Sequence, residues 1–412
     1  MTIMDTTFRC RSCGSSAIVP ILSLGRMPLA DRLLTREELD GPEITEQLDL
    51  VFCCDCTLVQ ITQTVPPEIL FSNSYPYFSS VSPSLTEHFA ASARAIIEDR
   101  RLDSGSLVVE AASNDGCMLR NFVQRGIPVL GVDPAGAPVE RAKQAGIPTL
   151  HAFFTKDLAG QIAAGGTQAD VFLANNVLAH VSDLNGFVEG IAMLLAPSGQ
   201  AVIECPYIVD LIEQCEFDTI YHQHLCYFSA MALDNLFQLH GMIMVDVVRT
   251  RIHGGSLRVF VQRTGERSSR AQALLDQERG LGLDSPAYYQ NFASRVESVR
   301  EKLVEMLREI KASGKRIAGY AAAAKATTLL AFCNIDQSVL DYVVDLSEYK
   351  QGRFMPGNHL PILPPATLIE DRPDYLLVLA WNFAAEIMQQ QRSYKDSGGK
   401  FILPIPSPTV MQ

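Results

Sequence analysis

The 412-residue sequence lacks several features that would assign it to common functional classes. Basic residues are not in excess, since 34 Lys and Arg stand against 46 Asp and Glu, and a net charge of −12 disfavours nucleic acid as the main partner. No apolar run approaches the roughly 18 residues of a membrane span. The first residues show neither the charged nor the apolar part of a signal peptide. We therefore expect a cytoplasmic protein with no membrane or nucleic-acid partner.

The overall composition is that of a folded chain with a large core. Hydrophobic residues make up 47% of the sequence and charged residues 19%, which is typical of globular proteins. The length predicts two or three domains. We expect a monomer or a small homo-oligomer, and the acidic balance does not exclude an anionic small molecule as substrate.

Four of the ten cysteines have the spacing of metal ligands, Cys10-x-x-Cys13 and Cys53-x-x-Cys56. Each pair offers two thiolates to one edge of a tetrahedral ion, so two pairs close a four-cysteine zinc site. The interval between the pairs is longer than in ordinary zinc ribbons, and Cys54 is a spare thiol inside the second pair. A closed site has no open coordination position, so we expect structural zinc and no metal chemistry.

A doubly wound α/β pattern follows. The predicted strands include Ser106–Glu110, Pro128–Asp133, Asp170–Asn175 and Gln200–Pro206, with a helix over Cys117–Gln124 and a turn over Leu194–Gly199. Ligands of open α/β sheets bind at the carboxyl ends of the strands. The polar residues gathered there are Glu110, Asn114, Asp115, Asp133, Asn175, Asn176 and His180.

The first of these turns, Ala111–Gly116, distinguishes between two nucleotide cofactors. It lacks the G-x-G-x-x-G pattern, so a pyrophosphate cradle is not indicated. Glu110, Asn114 and Asp115 instead place acceptors for a cationic amino-acid group. The turn resembles motif I of the class I methyltransferases that use S-adenosylmethionine, with Asp133 as the ribose-binding acid.

The segment Tyr221–Ser229 holds two of the eight histidines and two of the twelve tyrosines. Imidazole titrates near neutrality and a phenol donates a hydrogen bond, so the set suits proton abstraction beside a carbonyl. If the segment is helical, Tyr221, His224 and Phe228 share one face and His222 turns away. This favours His224 as the base. His180 is either a substrate-orienting residue or a packing residue.

The last hundred residues predict a second α/β unit. A strand over Lys315–Tyr320 is followed by a small-residue turn and a helix that opens with Lys325. Helix N-terminal amides and a cation suit a diphosphate, although the four alanines before Lys325 also allow close helix–sheet packing.

Taken together, these parts resemble the zinc-containing sugar C-methyltransferases, most closely the nucleotide-linked 3-C-methyltransferases, over essentially the whole chain. The segments that carry the resemblance are Tyr75–Ser80, Phe217–His224, His253–Gly255, Gly319–Lys325 and Ala380–Asn382. The expected organisation is a zinc module (1–68), a Rossmann-like methyltransferase domain (69–265), a helical connector (266–314) and a C-terminal α/β domain (315–412).

The resemblance implies C-methylation at C3 of a nucleoside-diphosphate 4-keto-6-deoxysugar, with S-adenosylmethionine and structural zinc as cofactors. His224 is expected to form an enolate with help from Tyr221, His180 and Gln223. Tyr75 and Phe153 are expected to join the cofactor site. Tyr221, His253, Lys325, Trp381 and Asn382 are expected to bind the sugar nucleotide.

Two residues depart from the family pattern, because relatives usually carry Glu at the position of Gln223 and Gly at that of Ala112. These differences keep other interpretations open. One is a methyltransferase acting on another enolisable or hydroxyl acceptor, and a second is a zinc-bearing scaffold of low activity. A sugar-nucleotide oxidoreductase or epimerase is disfavoured, because the chain has no G-x-G-x-x-G and no suitably placed Tyr-x-x-x-Lys.

Overall fold

The computed structural model describes residues 8–70 and 78–411, which contain 17 strands and 14 α-helices. The strands are β1 (Ile18–Pro28), β2 (Thr45–Cys53), β3 (Val59–Ile61), β4 (Val108–Ala111), β5 (Val129–Asp133), β6 (Thr149–His151), β7 (Ala169–Asn175), β8 (Leu195–Pro206), β9 (Cys226–Tyr227), β10 (Ile243–Thr250), β11 (Ser256–Gln262), β12 (Ile317–Tyr320), β13 (Val343–Val344), β14 (Ile362–Leu363), β15 (Tyr375–Val378), β16 (Lys400–Leu403) and β17 (Thr409–Met411).

The helices follow the same order along the chain. They are α1 (Pro67–Leu70), α2 (Pro83–Arg100), α3 (Arg120–Val123), α4 (Gly136–Gln144), α5 (Lys156–Ala164), α6 (Leu184–Leu194), α7 (Ile208–Glu213), α8 (Ala230–Leu239), α9 (Ser269–Leu281), α10 (Phe292–Ala312), α11 (Ala324–Phe332), α12 (Thr367–Asp371), α13 (Ala384–Gln390) and α14 (Arg392–Asp396). Within the described ranges, no helix combines the length and the apolar character that a membrane crossing requires.

The N-terminal strands form an antiparallel sheet of order β1-β2-β3-β9. Three of its strands precede residue 62, whereas β9 comes from the Tyr221–Ser229 segment, well inside the expected methyltransferase domain. Val59 pairs with Tyr227 and Gln60 with Cys226. The segment predicted to carry the base is therefore an edge strand of the cysteine-bearing sheet.

The central sheet has the order β10-β11-β8-β7-β4-β5-β6, parallel from β8 to β6 and antiparallel at β10 and β11. Its parallel strands are apolar and buried because helices cover both faces. The turn predicted over Leu194–Gly199 is wrong as a separate element, since β8 already starts at Leu195. The pairing with β7 is irregular there, because Leu195 is opposite Ala169 and Gln200 is opposite Val171. The helix predicted over Cys117–Gln124 is confined to α3.

The C-terminal sheet has the order β14-β13-β12-β15-β16-β17 and is parallel except for its last pair. Helix α11 begins directly after the loop that follows β12, as the sequence predicts. Strand β13 has only two residues, which pair with β12 on one side and with β14 on the other. Lys325, in the first turn of α11, and Trp381, in the short turn after β15, therefore lie beyond the carboxyl ends of β12 and β15.

Helix α8, which follows β9, is held by a carboxylate from helix α9. The fully buried Glu278 accepts hydrogen bonds from the amides of Ala230 and Met231, both at 2.8 Å. The Ser229 hydroxyl accepts a third bond, from Ala232, at 3.0 Å. Because the first amides of a helix have no partner within it, these acceptors fix the start of α8. They also fix the end of the Tyr221–Ser229 segment.

Candidate functional site

The four predicted metal ligands lie together at the edge of the N-terminal sheet. The sulfur atoms of Cys10, Cys13, Cys53 and Cys56 all lie within 4.8 Å of one another, with 3.4 Å between Cys10 and Cys56 and 3.5 Å between Cys13 and Cys53. Zn–S bonds of about 2.3 Å in a tetrahedron require sulfur atoms roughly 3.8 Å apart. The set therefore fits zinc, and the exposed Cys54 lies outside it.

The predicted cofactor site lies at the carboxyl ends of β4, β5 and β7. Glu110 is buried, accepts a hydrogen bond from the Asn175 amide at 2.9 Å, and keeps its Oε2 atom without a hydrogen-bond partner among the described residues. Burial raises the pKa of Glu110 to about 8. An incompletely paired buried carboxyl is costly unless a ligand completes it. The site therefore fits the cationic amino-acid end of S-adenosylmethionine.

Three backbone features shape the same cleft. Ala112 and Asn176 have φ values of 54° and 53°, in the left-handed region that favours glycine. The Asp133 carboxylate accepts hydrogen bonds from the amides of Asn114 and Ala135, each at 2.8 Å. The departure from Gly at Ala112 therefore has a backbone cost.

Asn114 and Asp115 have partners that the sequence did not predict. The Asn114 carbonyl oxygen accepts a hydrogen bond from the Ser79 amide at 2.9 Å, and Asp115 accepts from the amide and the hydroxyl of Ser80. These side chains thus hold residues 78–81 over the motif I turn, and a role toward the cofactor stays a prediction for both. Tyr75 lies outside the described residues. Phe153 is exposed just after β6, at the same edge of the sheet.

His224 and Tyr221 form the centre of the predicted catalytic group. His224 Nδ1 lies 2.8 Å from the carbonyl oxygen of Thr219, and Nε2 lies 2.9 Å from the hydroxyl oxygen of Tyr221. A carbonyl can only accept, so Nδ1 carries the proton and Nε2 presents a lone pair. The segment is a tight turn and not the helix considered above, because the His224 amide donates to the Tyr221 carbonyl at 2.8 Å. Phe228 is buried elsewhere, in a bridge to Tyr207.

The surroundings of His224 keep its imidazole neutral. Burial lowers its pKa well below the ordinary value, and the nearby His180, Lys325 and His253 act in the same direction. The rings of His180 and His224 meet edge to face, with centroids 4.8 Å apart. Burial also lowers the pKa of His180 and of His253 to about 4. The structure thus brings three predicted histidines to one neutral cluster with an available basic nitrogen.

Gln223 and His222 point away from this cluster, toward the N-terminal module. The Gln223 amide donates to the carbonyl of Ala30 at 3.3 Å and to the buried carboxylate of Asp31. His222 Nε2 faces the carbonyl oxygens of Glu46 and Gln47, at 3.2 and 3.3 Å. The bystander role predicted for His222 agrees with this position. The Gln223 side chain is directed to Ala30 and Asp31, so its catalytic role stays a prediction.

The predicted sugar-nucleotide residues meet where the C-terminal sheet faces the His224 turn. Lys325 donates to Asn382 at 2.8 Å and lies 4.3 Å from the centre of the Trp381 ring. The Trp381 indole donates to Asp218 at 2.8 Å. His253 packs against Phe383, with ring centroids 6.0 Å apart. The predicted residues are thus neighbours, although they come from distant parts of the chain.

Two carboxyl groups in this cluster were not predicted as site residues. Burial raises the pKa of Glu216 to about 8 and that of Asp218 to about 6, while the Lys325 ammonium opposes both shifts. Burial likewise lowers the pKa of Lys325 against the pull of the two carboxylates. Asp218 lies inside the Phe217–His224 segment, where an acidic residue next to the Tyr-His pair was an available signal. Thr219 contacts His224 through its backbone carbonyl, which no side-chain pattern reveals.

Family models match three consecutive parts of the chain. Residues 10–71 match the model described as "Putative zinc binding domain", residues 86–247 a "Methyltransferase domain", and residues 251–406 a "C-methyltransferase C-terminal domain". Together with the four-thiolate cluster and the α/β cofactor cleft, these matches define a methyltransferase with a zinc-binding module.

A curated relative narrows this class. The C-methyltransferase NovU of Streptomyces niveus is 37% identical over 405 residues, which cover 98% of this chain and 96% of the relative. The chain belongs to the zinc-containing, S-adenosylmethionine-dependent C-methyltransferases, which methylate carbon in small-molecule acceptors.

Two solved methyltransferase structures match about half of this chain. A Burkholderia thailandensis 1,6-didemethyltoxoflavin-N1-methyltransferase is 18% identical, with a TM-score of 0.37, and the match covers 51% of this chain and 97% of that one. The magnesium protoporphyrin IX methyltransferase of Synechocystis PCC 6803 is 14% identical, with a TM-score of 0.33. The match covers 43% of this chain and 79% of that one. TM-scores this low carry no inference about this chain.

Proposed function

We propose that the enzyme C-methylates a nucleoside-diphosphate 4-keto-6-deoxysugar at C3, through an enolate formed by His224. The observation that carries the proposal is the orientation of the His224 ring. Its Nδ1 proton is committed to the Thr219 carbonyl, and its Nε2 lone pair lies beside the Tyr221 hydroxyl. In this tautomer the Tyr221 hydroxyl donates to Nε2. The buried neutral imidazole can therefore remove a carbon-bound proton once that hydroxyl turns from Nε2 to the substrate oxygen.

The reaction divides between the chain and its cofactor. Nε2 of His224 takes the proton from the carbon next to the ketone, and the C–H electron pair becomes the enolate, with the charge on the former ketone oxygen. The Tyr221 hydroxyl donates to that oxygen, a contribution of about 3 kcal/mol for one well-placed donor. Glu110 and Asp133 would hold S-adenosylmethionine, which when bound would supply the electrophilic methyl group for the enolate carbon, with S-adenosylhomocysteine as the leaving product.

A ketone at C4 acidifies two carbons, C3 and C5, so the position of methylation depends on how the sugar is held. We assign this task to the group formed by His253, Lys325, Trp381 and Asn382, which faces the His224 turn. Lys325 is already balanced by Glu216 and Asp218, so its contact with a diphosphate requires a direct test. We expect Lys325→Ala to raise the KM for the sugar nucleotide more than it lowers kcat.

The first experiment separates proton removal from methyl transfer. Purified enzyme is incubated in D2O with a panel of nucleotide 4-keto-6-deoxysugars and S-adenosylhomocysteine, and deuterium incorporation at each carbon is followed by NMR. We expect exchange at C3 of one sugar, followed by C3 methylation when S-adenosylmethionine is supplied. His224→Gln should lower both rates by about a hundredfold or more.

The matched control is His222→Gln, since His222 lies two residues away and its Nε2 faces the carbonyl oxygens of Glu46 and Gln47 in the N-terminal module. It should retain exchange and methylation. Deuterium exchange at C5 and not at C3 would change the proposed site of methylation from C3 to C5. Wild-type exchange that persists in His224→Gln would refute the assigned base, and the lack of exchange and transfer with every keto-sugar would refute the acceptor class.

A further inference from the structure

We propose that the zinc site positions the catalytic base, and that Gln60 is the residue that links the two. The inference rests on the proposed role of His224. The strand that follows His224 belongs to the cysteine-bearing sheet. On one side it pairs with β3, where Gln60 bonds the sulfur of Cys10, and on the other it bonds to Ala179, the neighbour of His180.

The strand that follows His224 is held from both sides. The amide of Leu225 donates to the carbonyl of Ala179 at 2.7 Å, and the carbonyl of Leu225 accepts from the amide of Ile61 at 3.0 Å. The next residues pair with β3. The peptide directly after His224 is therefore fixed between the neighbour of His180 and the zinc module.

Gln60 occupies the position on β3 that joins this strand to the metal ligands. Its side chain is fully buried, and Nε2 donates to the sulfur of Cys10 at 3.1 Å. Its Oε1 accepts from the backbone amide of Arg11 at 3.0 Å, inside the first cysteine knuckle. In the sheet, Gln60 is directly opposite Cys226, two residues beyond His224. The buried Gln60 amide thus hydrogen-bonds the sulfur of Cys10 and the backbone of Arg11. The Gln60 backbone pairs with the strand that follows His224.

The knuckles are in turn fixed to the methyltransferase fold. The Asn185 amide donates to the carbonyls of Arg11 and Ser12, both at 3.0 Å, and the Asn235 amide donates to the carbonyl of Cys56 at 3.1 Å. Both cysteine knuckles therefore contact the central domain on α6 and α8. A zinc ion bound by the four cysteines would hold the two knuckles together. The knuckles in turn contact Asn185 and Asn235, and the sheet joins them to the His224 turn.

Outer contacts of this kind orient metal ligands, and their loss commonly costs about 10- to 100-fold in metal affinity or activity. A misplacement of a reacting group by about 1 Å costs on the order of a hundredfold in rate. Loss of the Gln60 bond should therefore change both the metal affinity and the rate of proton removal. A metal that served only folding would affect stability alone.

The test uses the zinc-saturated full chain with Gln60→Met, which preserves length and the backbone pairing and removes the hydrogen bonds. We expect about a tenfold loss of zinc affinity in chelator competition. With zinc saturating, kcat should fall about tenfold with little change in the KM for S-adenosylmethionine. Amide hydrogen exchange should accelerate in a peptide spanning residues 222–230. Cys54→Ser, which alters the exposed thiol of the second knuckle, should leave all three readouts unchanged.

Zinc-saturated Gln60→Met with wild-type kcat and wild-type exchange at 222–230 would overturn the proposal. Should the variant fail to fold, the same exchange measurement on wild-type enzyme during chelation decides. The coupling is supported if amide exchange becomes faster both in residues 222–230 and in the two cysteine knuckles. It is refuted if exchange becomes faster in the knuckles alone. These results do not depend on which residue is the base. A failure of the His224→Gln test would therefore be recognised separately.

Discussion

The catalytic proposal depends at the residue scale on which nitrogen of His224 carries the proton. The Thr219 carbonyl decides this by accepting from Nδ1. A different partner at this position would reverse the tautomer and present an N–H to the substrate. The Tyr221 hydroxyl lies 2.9 Å from Nε2, beside the nitrogen that is proposed to take the proton.

The low pKa of His224 predicts the pH dependence of the reaction. Protonation of Nε2 removes the base, so kcat/KM falls as pH drops through the pKa of His224. Because burial, His180 and Lys325 hold that pKa well below the ordinary value of 6.5, the rate should still be on its plateau at pH 6.5. A pH profile of kcat/KM for the keto-sugar checks this. A half-maximal rate near pH 6.5 would contradict a buried neutral base.

Gln223 predicts a second pH effect, on stability. Its amide donates to Asp31, whose pKa burial already raises. Gln223→Glu would place a second carboxylate there and raise that pKa further, and a carboxyl with a raised pKa loses its stabilising contribution as pH increases. The melting temperature of Gln223→Glu should therefore fall increasingly below that of wild type between pH 5 and pH 8.

Gln223→Met serves as the control for this variant, because it removes the hydrogen bond without adding charge. Its deficit in melting temperature should be independent of pH. An equal, pH-independent deficit in Gln223→Glu would show that the two carboxyls do not interact. Neither variant is expected to abolish proton exchange from the sugar, since the Gln223 amide is directed to Ala30 and Asp31.

At the scale of elements, the start of α8 ties the connector to the active-site turn. Glu278 on α9 accepts two α8 amides at 2.8 Å. Glu278→Gln would turn an NH2 group toward one of those amides and lose a charge-assisted bond. We expect about 3 kcal/mol of lost unfolding free energy, measured by denaturant titration.

Asp276→Asn is the matched change on the same helix, because Asp276 is exposed and bonds only to neighbouring surface residues. It should cost less than about 0.5 kcal/mol. Equal effects of the two substitutions would show that the buried cap contributes nothing specific.

At the scale of the whole molecule, the His224 turn lies where three parts of the chain meet. Helix α11 of the C-terminal domain reaches it through Thr328, whose hydroxyl donates to the carbonyl of Ile220 at 2.9 Å. The zinc module reaches it through β3, and His180 reaches it from the methyltransferase sheet. The neighbouring Thr219 carbonyl, which orients the base, is therefore supported from the C-terminal domain.

Two adjacent threonines test this contact. Both Thr327 and Thr328 are 2% exposed, and the Thr327 hydroxyl has no hydrogen-bond partner among the described residues. Thr328→Val leaves the Ile220 carbonyl unsatisfied, so we expect a loss of about 1 to 3 kcal/mol and a several-fold lower kcat. Thr327→Val should be neutral or stabilising. Equal kcat values in both variants would exclude support of the base through Ile220.

Local patterns in the sequence determined the zinc ligands, the α/β class and the order of the parts. Two CxxC pairs are a short-range signal, because each knuckle forms from residues that are neighbours in the chain. Apolar strands separated by polar turns likewise located β4, β5 and β7, since parallel strands are buried on both faces. The pairing of Tyr221 with His224 was also within reach, because residues three apart meet in a turn as well as in a helix.

Only the tertiary structure decided what surrounds those residues. The sequence alone did not place Gln223 against Asp31, Ser79 and Ser80 against Asn114 and Asp115, or β9 in the cysteine-bearing sheet. In each case the partners are separated by at least 35 residues. The protonation state of His224 depends on burial and on one backbone carbonyl, Thr219. Burial and backbone geometry arise from packing among all three parts of the chain, and no local pattern of residue types records them.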